Sequence, residues 1–234
     1  MKRNEIYYGI IGSGHIGNYH AQQIQKISGV ILKGIYDILP EQAERVAATN
    51  NTKAYKELAP LLDVCDAVTI ATPAHSHFQI AIQALQSNCH VFIEKPITDS
   101  LNDAIELSLI AEKYNKIIQV GHIERFNRTF RESLKYIKKP QFIEIHRISP
   151  FPNRSLDIPV VMDVMIHDLD ILLSINKQNP IKKIDATMTR GIPIARRVAS
   201  NNKSIPIMPI INSVGKTNIF PNKEICCFNK TPFR

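Results

Sequence analysis

The sequence predicts an α/β fold with a doubly wound parallel sheet, followed by a partial α+β second domain. Short apolar runs alternate with stretches of helical spacing as far as about residue 120. A glycine-rich turn joins the first apolar run to the first helical stretch. Beyond residue 124 the alternation gives way to an amphipathic stretch, a proline-containing loop and a strongly apolar helix.

Six strands are predicted in the first domain, most of them from apolar runs that are typical of a parallel sheet covered on both faces. They are expected at residues 6–11, 30–36, 52–54, 67–71, 90–93 and 117–120. Helices are expected where apolar residues recur every three or four positions, at residues 16–27, 40–48, 58–62, 77–85 and 101–111. Pro40 in a first turn, and Ser100 with Asp103 in capping-box positions, mark two of the helix starts.

The second domain is predicted to begin at residue 124, so that the first covers residues 1–123. An amphipathic helix is expected at 126–137, a strand at 142–145, an apolar helix at 160–175 and a further strand at 181–189. Residues 191–234 carry five of the fourteen prolines and show no clear alternation of apolar and polar residues. We therefore expect residues 124–190 to start an α+β domain, and 191–234 to be an atypical tail that is poorly ordered or loosely packed.

Length and composition exclude several classes of protein. No apolar stretch in the 234 residues approaches the roughly twenty that a membrane helix needs, so no membrane association is expected. Glu5 and a strand follow Lys2 and Arg3 at once, which speaks against a signal peptide. The cysteines show neither metal spacing nor a disulfide framework, and they are Cys65, Cys89, Cys226 and Cys227. A reducing, cytoplasmic location is the expectation.

The net charge of +8 is concentrated in the predicted tail. Residues 191–234 hold seven basic residues against the single acidic residue Glu224, which leaves residues 1–190 nearly neutral. Nucleic-acid binding through this tail is an alternative function, but no binding motif and no interleaved aromatic residues support it. The sequence therefore favours a protein without a nucleic-acid partner.

The turn Gly12-Ser13-Gly14-His15-Ile16-Gly17 lies between the first strand and the first helix. In that context a G-x-G-x-x-G pattern indicates dinucleotide binding in a Rossmann fold. Gly12 allows the tight turn, Gly14 lacks the Cβ that would collide with a pyrophosphate, and Gly17 lets the helix pack closely on the strand. The start of the helix then offers unpaired N–H groups to the phosphates.

Asp37 stands at the end of the second strand, about twenty residues beyond Gly17. At this spacing an acidic side chain accepts hydrogen bonds from the adenosine ribose, and its charge repels a 2′-phosphate. No arginine follows it, since the next residues are Ile38, Leu39 and Pro40. The sequence therefore favours NAD over NADP; the plainer alternative is a purely structural glycine turn with an ordinary aspartate at a strand end.

Several polar residues follow the predicted strands, at the sheet edge where doubly wound folds bind ligands. They include Thr72-Pro73, Lys95 and Gly121-His122. A lysine in this place can hold a substrate hydroxyl by a hydrogen bond and help to move its proton. The alternative for Lys95 is a solvated surface lysine, and its position alone does not decide between the two.

Asp163, His167 and Asp170 fall at i, i+4 and i+7 on the predicted apolar helix and are expected to share one face. A neutral imidazole can accept the proton of a hydroxyl as hydride leaves the same carbon, and a nearby carboxylate stabilises the resulting imidazolium. A buried and satisfied His–Asp pair is one alternative. A metal site that includes His122 is another, which is less favoured because nicotinamide chemistry needs no metal.

Short motifs along the chain resemble those of the glucose–fructose oxidoreductase and inositol dehydrogenase family (Gfo/Idh/MocA). In order they are Gly12–Gly17, Ala71-Thr72-Pro73 followed by His77, Glu94-Lys95-Pro96, Gly121-His122 before Arg125-Phe126-Asn127, and Asp163-x-x-x-His167-x-x-Asp170. The resemblance covers residues 5 to about 190. Residues 146–174 look most like bacterial members of the family that act on nucleotide sugars.

The resemblance implies catalytic roles for Lys95 and His167 beside the nicotinamide, with Asp163 in support. The cofactor-binding residues that follow from the motifs are Gly12, Ser13, Gly14, His15, Ile16, Gly17, Asp37, Ala71, Thr72, Pro73, His77, Glu94, Lys95 and His122. Met165 stands where many members have glycine, which narrows the expected pocket. The family continues as a large open sheet that residues 191–234 do not match, so a C-terminally shortened copy is also an expectation.

The sequence as a whole predicts an NAD-dependent oxidoreductase that acts on a secondary alcohol or ketone of a sugar or nucleotide sugar. The alternative is a catalytically inactive or truncated dinucleotide-binding protein. No metal is expected. A homo-oligomer is possible but less favoured. In the family the large sheet builds the subunit interface, and the second domain expected here is shortened.

Overall fold

The computed structural model describes residues 5–138, 140, 142–146, 159, 161–176, 183–186 and 195–199. The chain divides into two compact units, Met1–His122 and Ile123–Arg234. The division falls one residue before the domain boundary that the sequence predicts. Among the described residues, no helix is long and apolar enough to cross a membrane.

The first unit is built on a six-stranded sheet, as predicted. Its strands are β1 (Ile6–Ile11), β2 (Val30–Tyr36), β3 (Ala54–Tyr55), β4 (Ala67–Ile70), β5 (His90–Ile93) and β6 (Ile118–Val120). All neighbouring strands are parallel, in the order β3-β2-β1-β4-β5-β6. This is the strand order of a dinucleotide-binding Rossmann fold, and the order reverses between β1 and β4.

Helices connect the strands in the alternation that the sequence predicts. They are α1 (His15–Ile24), α2 (Pro40–Thr49), α3 (Leu58–Leu62), α4 (His77–Gln86) and α5 (Leu101–Lys113), with a short 3₁₀ turn at Ala74–Ser76. Helix α1 ends before the predicted residue 27 because the chain tightens after Ile24. The amides of Lys26 and Ile27 donate to carbonyls three residues back, at 3.0 Å each.

Both faces of this sheet are covered by helices. Ile10 and Ile11 are neighbours in β1, both are fully buried, and their side chains point to opposite faces. Ile10 packs in a cluster with Ala21, Val46 and Ala47 of α1 and α2. Ile11 packs in a larger cluster to which α3, α4 and α5 contribute Leu61, Leu62, Ala81, Ala84, Leu85, Leu107 and Ala111. The continuous apolar pattern of β1 reflects this two-sided burial.

The second unit contains a 3₁₀ turn (Ile123–Phe126), helix α6 (Arg128–Ser133), a π-helical segment (Val161–Met165), helix α7 (Ile166–Ile175) and the strands β7 (Phe142–His146), β8 (Lys183–Ala186) and β9 (Ala195–Ala199). The strands form an antiparallel sheet in the order β7-β9-β8. Ile143, Ile145 and Leu172 form a small buried cluster there.

Two predicted helices of this unit differ from those observed. The expected helix at 126–137 is interrupted because the Asn127 side chain accepts from the amides of Thr129 and Phe130 and so caps a new, shorter helix. The expected helix at 160–175 begins with one π-helical turn before it becomes regular at Ile166. Local apolar spacing does not reveal either change.

Strand β9 lies within residues 191–234, where the sequence pattern indicated no strand. It pairs with β7 on one side and β8 on the other. The position of β9 in the sheet depends on these two partner strands, and the local pattern of apolar and polar residues carries no information about them. The remainder of the predicted tail lies outside the described residues.

Candidate functional site

The glycine turn between β1 and α1 leaves no room for side chains at two of its three glycines. Gly12 has a positive φ of 90°, and a Cβ there would lie 2.7 Å from the carbonyl oxygen of Ala71. A Cβ on Gly17 would lie 1.8 Å from the carbonyl oxygen of Gly12, so only glycine permits this approach of helix and turn. These are the tight-turn and close-packing roles predicted for Gly12 and Gly17.

Gly14 differs from the other two, because open space lies beside it. A Cβ added to Gly14 would meet no described heavy atom within 4 Å. Gly14 is also the N-cap of α1, whose first turn contains no acidic residue. The first N–H groups of a helix have no partner within the helix, so the open space borders a place suited to an anion.

Asp37 follows β2 and reaches across to the glycine turn. Its Oδ2 atom accepts from the backbone amide of Ser13 at 2.6 Å and from the Ser13 hydroxyl at 2.8 Å. Gln42 Nε2 also donates to Oδ2 at 3.3 Å, and the Leu39 amide donates to Oδ1 at 2.9 Å. The carboxylate therefore fixes the turn, while Oδ1 retains capacity for a further donor.

The electrostatic state of Asp37 follows from these contacts. Burial acts to raise its pKa, but the hydrogen bonds from Leu39, Ser13 and Gln42 favour the ionised form and bring the pKa below its ordinary value. Asp37 is consequently an anion at neutral pH beside the glycine turn. This charge is the feature that the predicted NAD preference requires.

The loops after β4 and β5 are joined by His77, the first residue of α4. The ring is 1% exposed, with Nδ1 at 2.9 Å from the Pro96 carbonyl oxygen and Nε2 at 2.8 Å from the Thr72 carbonyl oxygen. The amide of Ala71 donates to Ile11 at 2.8 Å and so ties the first of these loops to β1. His77 was predicted as a cofactor-binding residue, and in this position it would act through the two loops.

Glu94 and Lys95 follow β5, and two groups hold the Glu94 carboxylate. His20 Nε2 of α1 lies 2.7 Å from its Oε1 atom, and the Lys95 amide donates to Oε2 at 3.3 Å. A Cβ on Gly121 would lie 3.1 Å from Oε2, so the glycine before His122 makes room for this carboxylate. The sequence did not predict His20 as a site residue, because helical spacing alone does not reveal its contact with Glu94.

The second unit contains Asp163, His167 and Asp170, which the sequence predicts on one helix face. That prediction assumed 3.6 residues per turn throughout. Asp163 lies in the π-helical turn, so the regular α-helical period applies only from Ile166 onward. Asp170 is 5% exposed and receives two hydrogen bonds from Arg125, from Nε at 2.6 Å and from a terminal nitrogen at 2.5 Å. Asp170 therefore has a defined structural partner, and the roles of Asp163 and His167 stay predictions.

The second unit also buries Asp168, which is 2% exposed and which the sequence pattern did not single out. Its position next to His167 could have suggested it. Among the described residues, no group of three or more histidine, cysteine, aspartate or glutamate side chains is arranged to hold a metal ion.

Comparisons with known proteins agree with this geometry. A family model described as an oxidoreductase family with an NAD-binding Rossmann fold matches residues 6–122. UDP-N-acetylglucosamine 3-dehydrogenase of Acidithiobacillus ferrooxidans is 38% identical over 178 residues, which cover 74% of this chain and 55% of that protein. Myo-inositol 2-dehydrogenase of Thermotoga maritima is 30% identical over 179 residues, which cover 70% of this chain and 52% of that protein.

A solved structure of the Acidithiobacillus ferrooxidans enzyme superposes with a TM-score of 0.74 at 30% identity, over 86% of this chain and 71% of that chain. The chain spans about half the length of the curated relatives it matches. The resemblance thus extends beyond the Rossmann unit into the second unit.

Proposed function

Because this chain belongs to the Gfo/Idh/MocA family of oxidoreductases with an NAD-binding Rossmann fold, we propose that it transfers a hydride between NAD and a sugar derivative. The reacting group would be a secondary alcohol or ketone of a sugar or nucleotide sugar. The observation that carries the proposal is the open space at Gly14, bordered by the start of α1 and by the Asp37 anion.

The residues of the glycine turn fit a dinucleotide. The open side of Gly14 leaves room for a pyrophosphate, and the first amides of α1 would donate to its oxygens. Asp37 would accept from the adenosine ribose through the remaining capacity of Oδ1, and Ser13 could turn its hydroxyl away to free Oδ2. The charge of Asp37 would repel a 2′-phosphate, so we propose NAD rather than NADP.

The bound nicotinamide would supply the hydride acceptor or donor. When the substrate carbon loses a hydride, its hydroxyl oxygen has to release a proton. We assign His167 as the acceptor of that proton and Asp163 as the group that stabilises the imidazolium. The amine of Lys95 would hold the substrate oxygen in place by a hydrogen bond. These assignments rest on the family motifs that contain the three residues.

The substrate class is proposed from the relatives. The A. ferrooxidans relative is named for a nucleotide sugar, and the T. maritima relative for myo-inositol, a cyclic polyol. The higher identity to the first favours a nucleotide sugar as substrate. Nothing in the described residues or in the relatives favours the inactive dinucleotide-binding alternative.

The proposal is tested by calorimetric titration with NAD and NADP, followed by an assay of NADH absorbance. UDP-N-acetylglucosamine and myo-inositol are the first substrates to compare, with the purified chain at neutral pH. We expect NAD to bind more tightly than NADP, and NADH to form faster with the nucleotide sugar. Absence of NAD binding would overturn the proposal, and faster reaction with myo-inositol would overturn the substrate class.

A further inference from the structure

The residues on either side of Lys95 are each held by a histidine from a different helix. His20 of α1 contacts the Glu94 carboxylate at 2.7 Å, and His77 of α4 contacts the Pro96 carbonyl oxygen at 2.9 Å. Glu94 and Pro96 are the immediate neighbours of Lys95 in the chain. The backbone of Lys95 is therefore anchored at both ends by side chains that come from outside its own loop.

The contact on the Glu94 side is closely defined. The His20 ring packs edge-on against Phe92 of β5, with ring centroids 5.2 Å apart, which fixes the ring that donates to Glu94. The other carboxylate oxygen accepts the amide of Lys95 at 3.3 Å. Burial acts to raise the pKa of Glu94, but its bonds to His20 and Lys95 lower it overall, so that the carboxylate is ionised. His20 thus orients an anion that holds the Lys95 amide.

The contact on the Pro96 side is made by a buried ring. His77 is 1% exposed, and its second nitrogen lies 2.8 Å from the Thr72 carbonyl oxygen. Carbonyl oxygens only accept, so a neutral ring donates to one of the two carbonyl oxygens, from Nδ1 to Pro96 or from Nε2 to Thr72, according to its tautomer. His77 thereby couples the position of the loop after β5 to that of the loop after β4.

We propose that His20 and His77 are positioning residues for Lys95. They set the backbone on both sides of the lysine, so that its amine reaches the substrate oxygen from one direction. Neither acts on the substrate itself, because His20 works through Glu94 and His77 through Pro96. This inference rests on the proposed function in one respect, namely that the Lys95 amine contacts the substrate.

The hydrogen bonds of both histidines are directed at the loop that carries Lys95. Burying an imidazole is costly unless it is hydrogen-bonded, and the Glu94 carboxylate and the Pro96 carbonyl oxygen supply those bonds. The sheet is already held by the two apolar clusters on its faces. Reactive groups need to be held within fractions of an ångström, and supporting residues with fixed rotamers provide that precision.

The test uses paired variants of His20. His20→Phe keeps a ring that can pack on Phe92 but removes the donor to Glu94, whereas His20→Gln keeps a donor near the position of Nε2. We expect His20→Phe to lower kcat by up to about 100-fold with little change in KM, as a misplaced reactive group does. His20→Gln should restore most of the loss. His75→Phe alters an exposed histidine of the neighbouring 3₁₀ turn and serves as the control.

A second measurement does not depend on activity. Hydrogen exchange of the Lys95 amide, followed by NMR, should accelerate in His20→Phe while the amides of Val91 and Ile93 in β5 stay protected. For His77, the Asn variant keeps a donor near Nδ1 and the Gln variant a donor near Nε2. We therefore expect the Asn variant to preserve slow exchange at Lys95 better than the Gln variant.

The outcomes separate this inference from the proposed function. If the wild-type chain turns over no sugar but Lys95 exchange responds as described, the positioning role stands and the proposed activity fails. Unchanged exchange at Lys95 and unchanged kcat in His20→Phe would overturn the inference. Equal losses of kcat in His20→Phe and His20→Gln would also overturn it, since the hydrogen-bond donor that His20→Gln retains would then be irrelevant.

Discussion

Removal of the Asp37 carboxylate should weaken both the fold and the cofactor preference. Asp37→Ala deletes the acceptor for Ser13, Leu39 and Gln42. A hydrogen bond to a charged group contributes about 1.5–3 kcal/mol, but exposed donors such as Leu39 regain water. We therefore expect the free energy of unfolding to fall by about 2–4 kcal/mol. Gln42→Ala removes only the 3.3 Å bond and is the matched control, with a loss of about 1 kcal/mol or less.

The effect of Asp37 on stability should depend on pH in a defined direction. The folded-state pKa lies below the ordinary value of about 3.9, so the unfolded chain binds the proton more readily near that pH. The contribution of Asp37 is therefore complete above the unfolded pKa and is lost as the pH falls through the folded pKa. Urea unfolding at pH 7 and pH 3 should show the gap between wild type and Asp37→Ala shrinking at pH 3. A gap of equal size at both pH values would refute the reasoning.

The same variant tests the choice of cofactor. At pH 7, without urea and at a temperature where the variant is folded, Asp37→Ala should bind NAD more weakly. It should also show a smaller preference for NAD over NADP. Calorimetric titration of both cofactors measures the two affinities. Gln42→Ala should keep the wild-type preference because the carboxylate remains. Equal affinities of the wild type for NAD and NADP would show that the Asp37 charge does not select the cofactor.

Three further predictions concern substitutions of single residues. Gly17→Ala should cost about 3 kcal/mol or more in urea unfolding, because its Cβ would lie 1.8 Å from the Gly12 carbonyl oxygen; wild-type stability would contradict this packing. Arg125→Ala should cost about 1.5–3 kcal/mol in thermal unfolding, because Asp170 is 5% exposed and loses both donors; an unchanged Tm would refute the pairing. His167→Ala should lower kcat by about 100- to 10,000-fold with NAD affinity intact, and wild-type turnover would remove His167 from the proposed mechanism.

Local sequence patterns predicted the first unit well. The strands alternate with helices at short spacing, and each apolar run is long enough to mark one buried strand, as in Ile6–Ile11. The glycine turn was predictable because Gly12 and Gly17 serve needs that are local to a strand–turn–helix unit. The family resemblance is confirmed by the match over residues 6–122.

The missed features depend on contacts between distant residues. The pairing of His20 with Glu94 joins residues 74 apart, and that of Arg125 with Asp170 joins residues 45 apart. The hydrogen bonds from Ser13 to Asp37 likewise become visible only once β2 lies beside β1. In the second unit, the Asn127 cap and the π-helical turn interrupt helices whose apolar spacing looked continuous. Such competition between side chain and backbone is decided by the folded surroundings.

Binding of NAD to wild type and to Gly14→Val tests the central claim most directly. The Cβ of the valine would have no described heavy atom within 4 Å, so the fold should tolerate the side chain while its methyl groups block the pyrophosphate position. Gly14 has φ −64° and ψ −169°, an extended conformation that valine adopts readily. The account predicts that calorimetry detects NAD binding to the wild type and none to a folded Gly14→Val. Equal NAD affinity of the two proteins would contradict it.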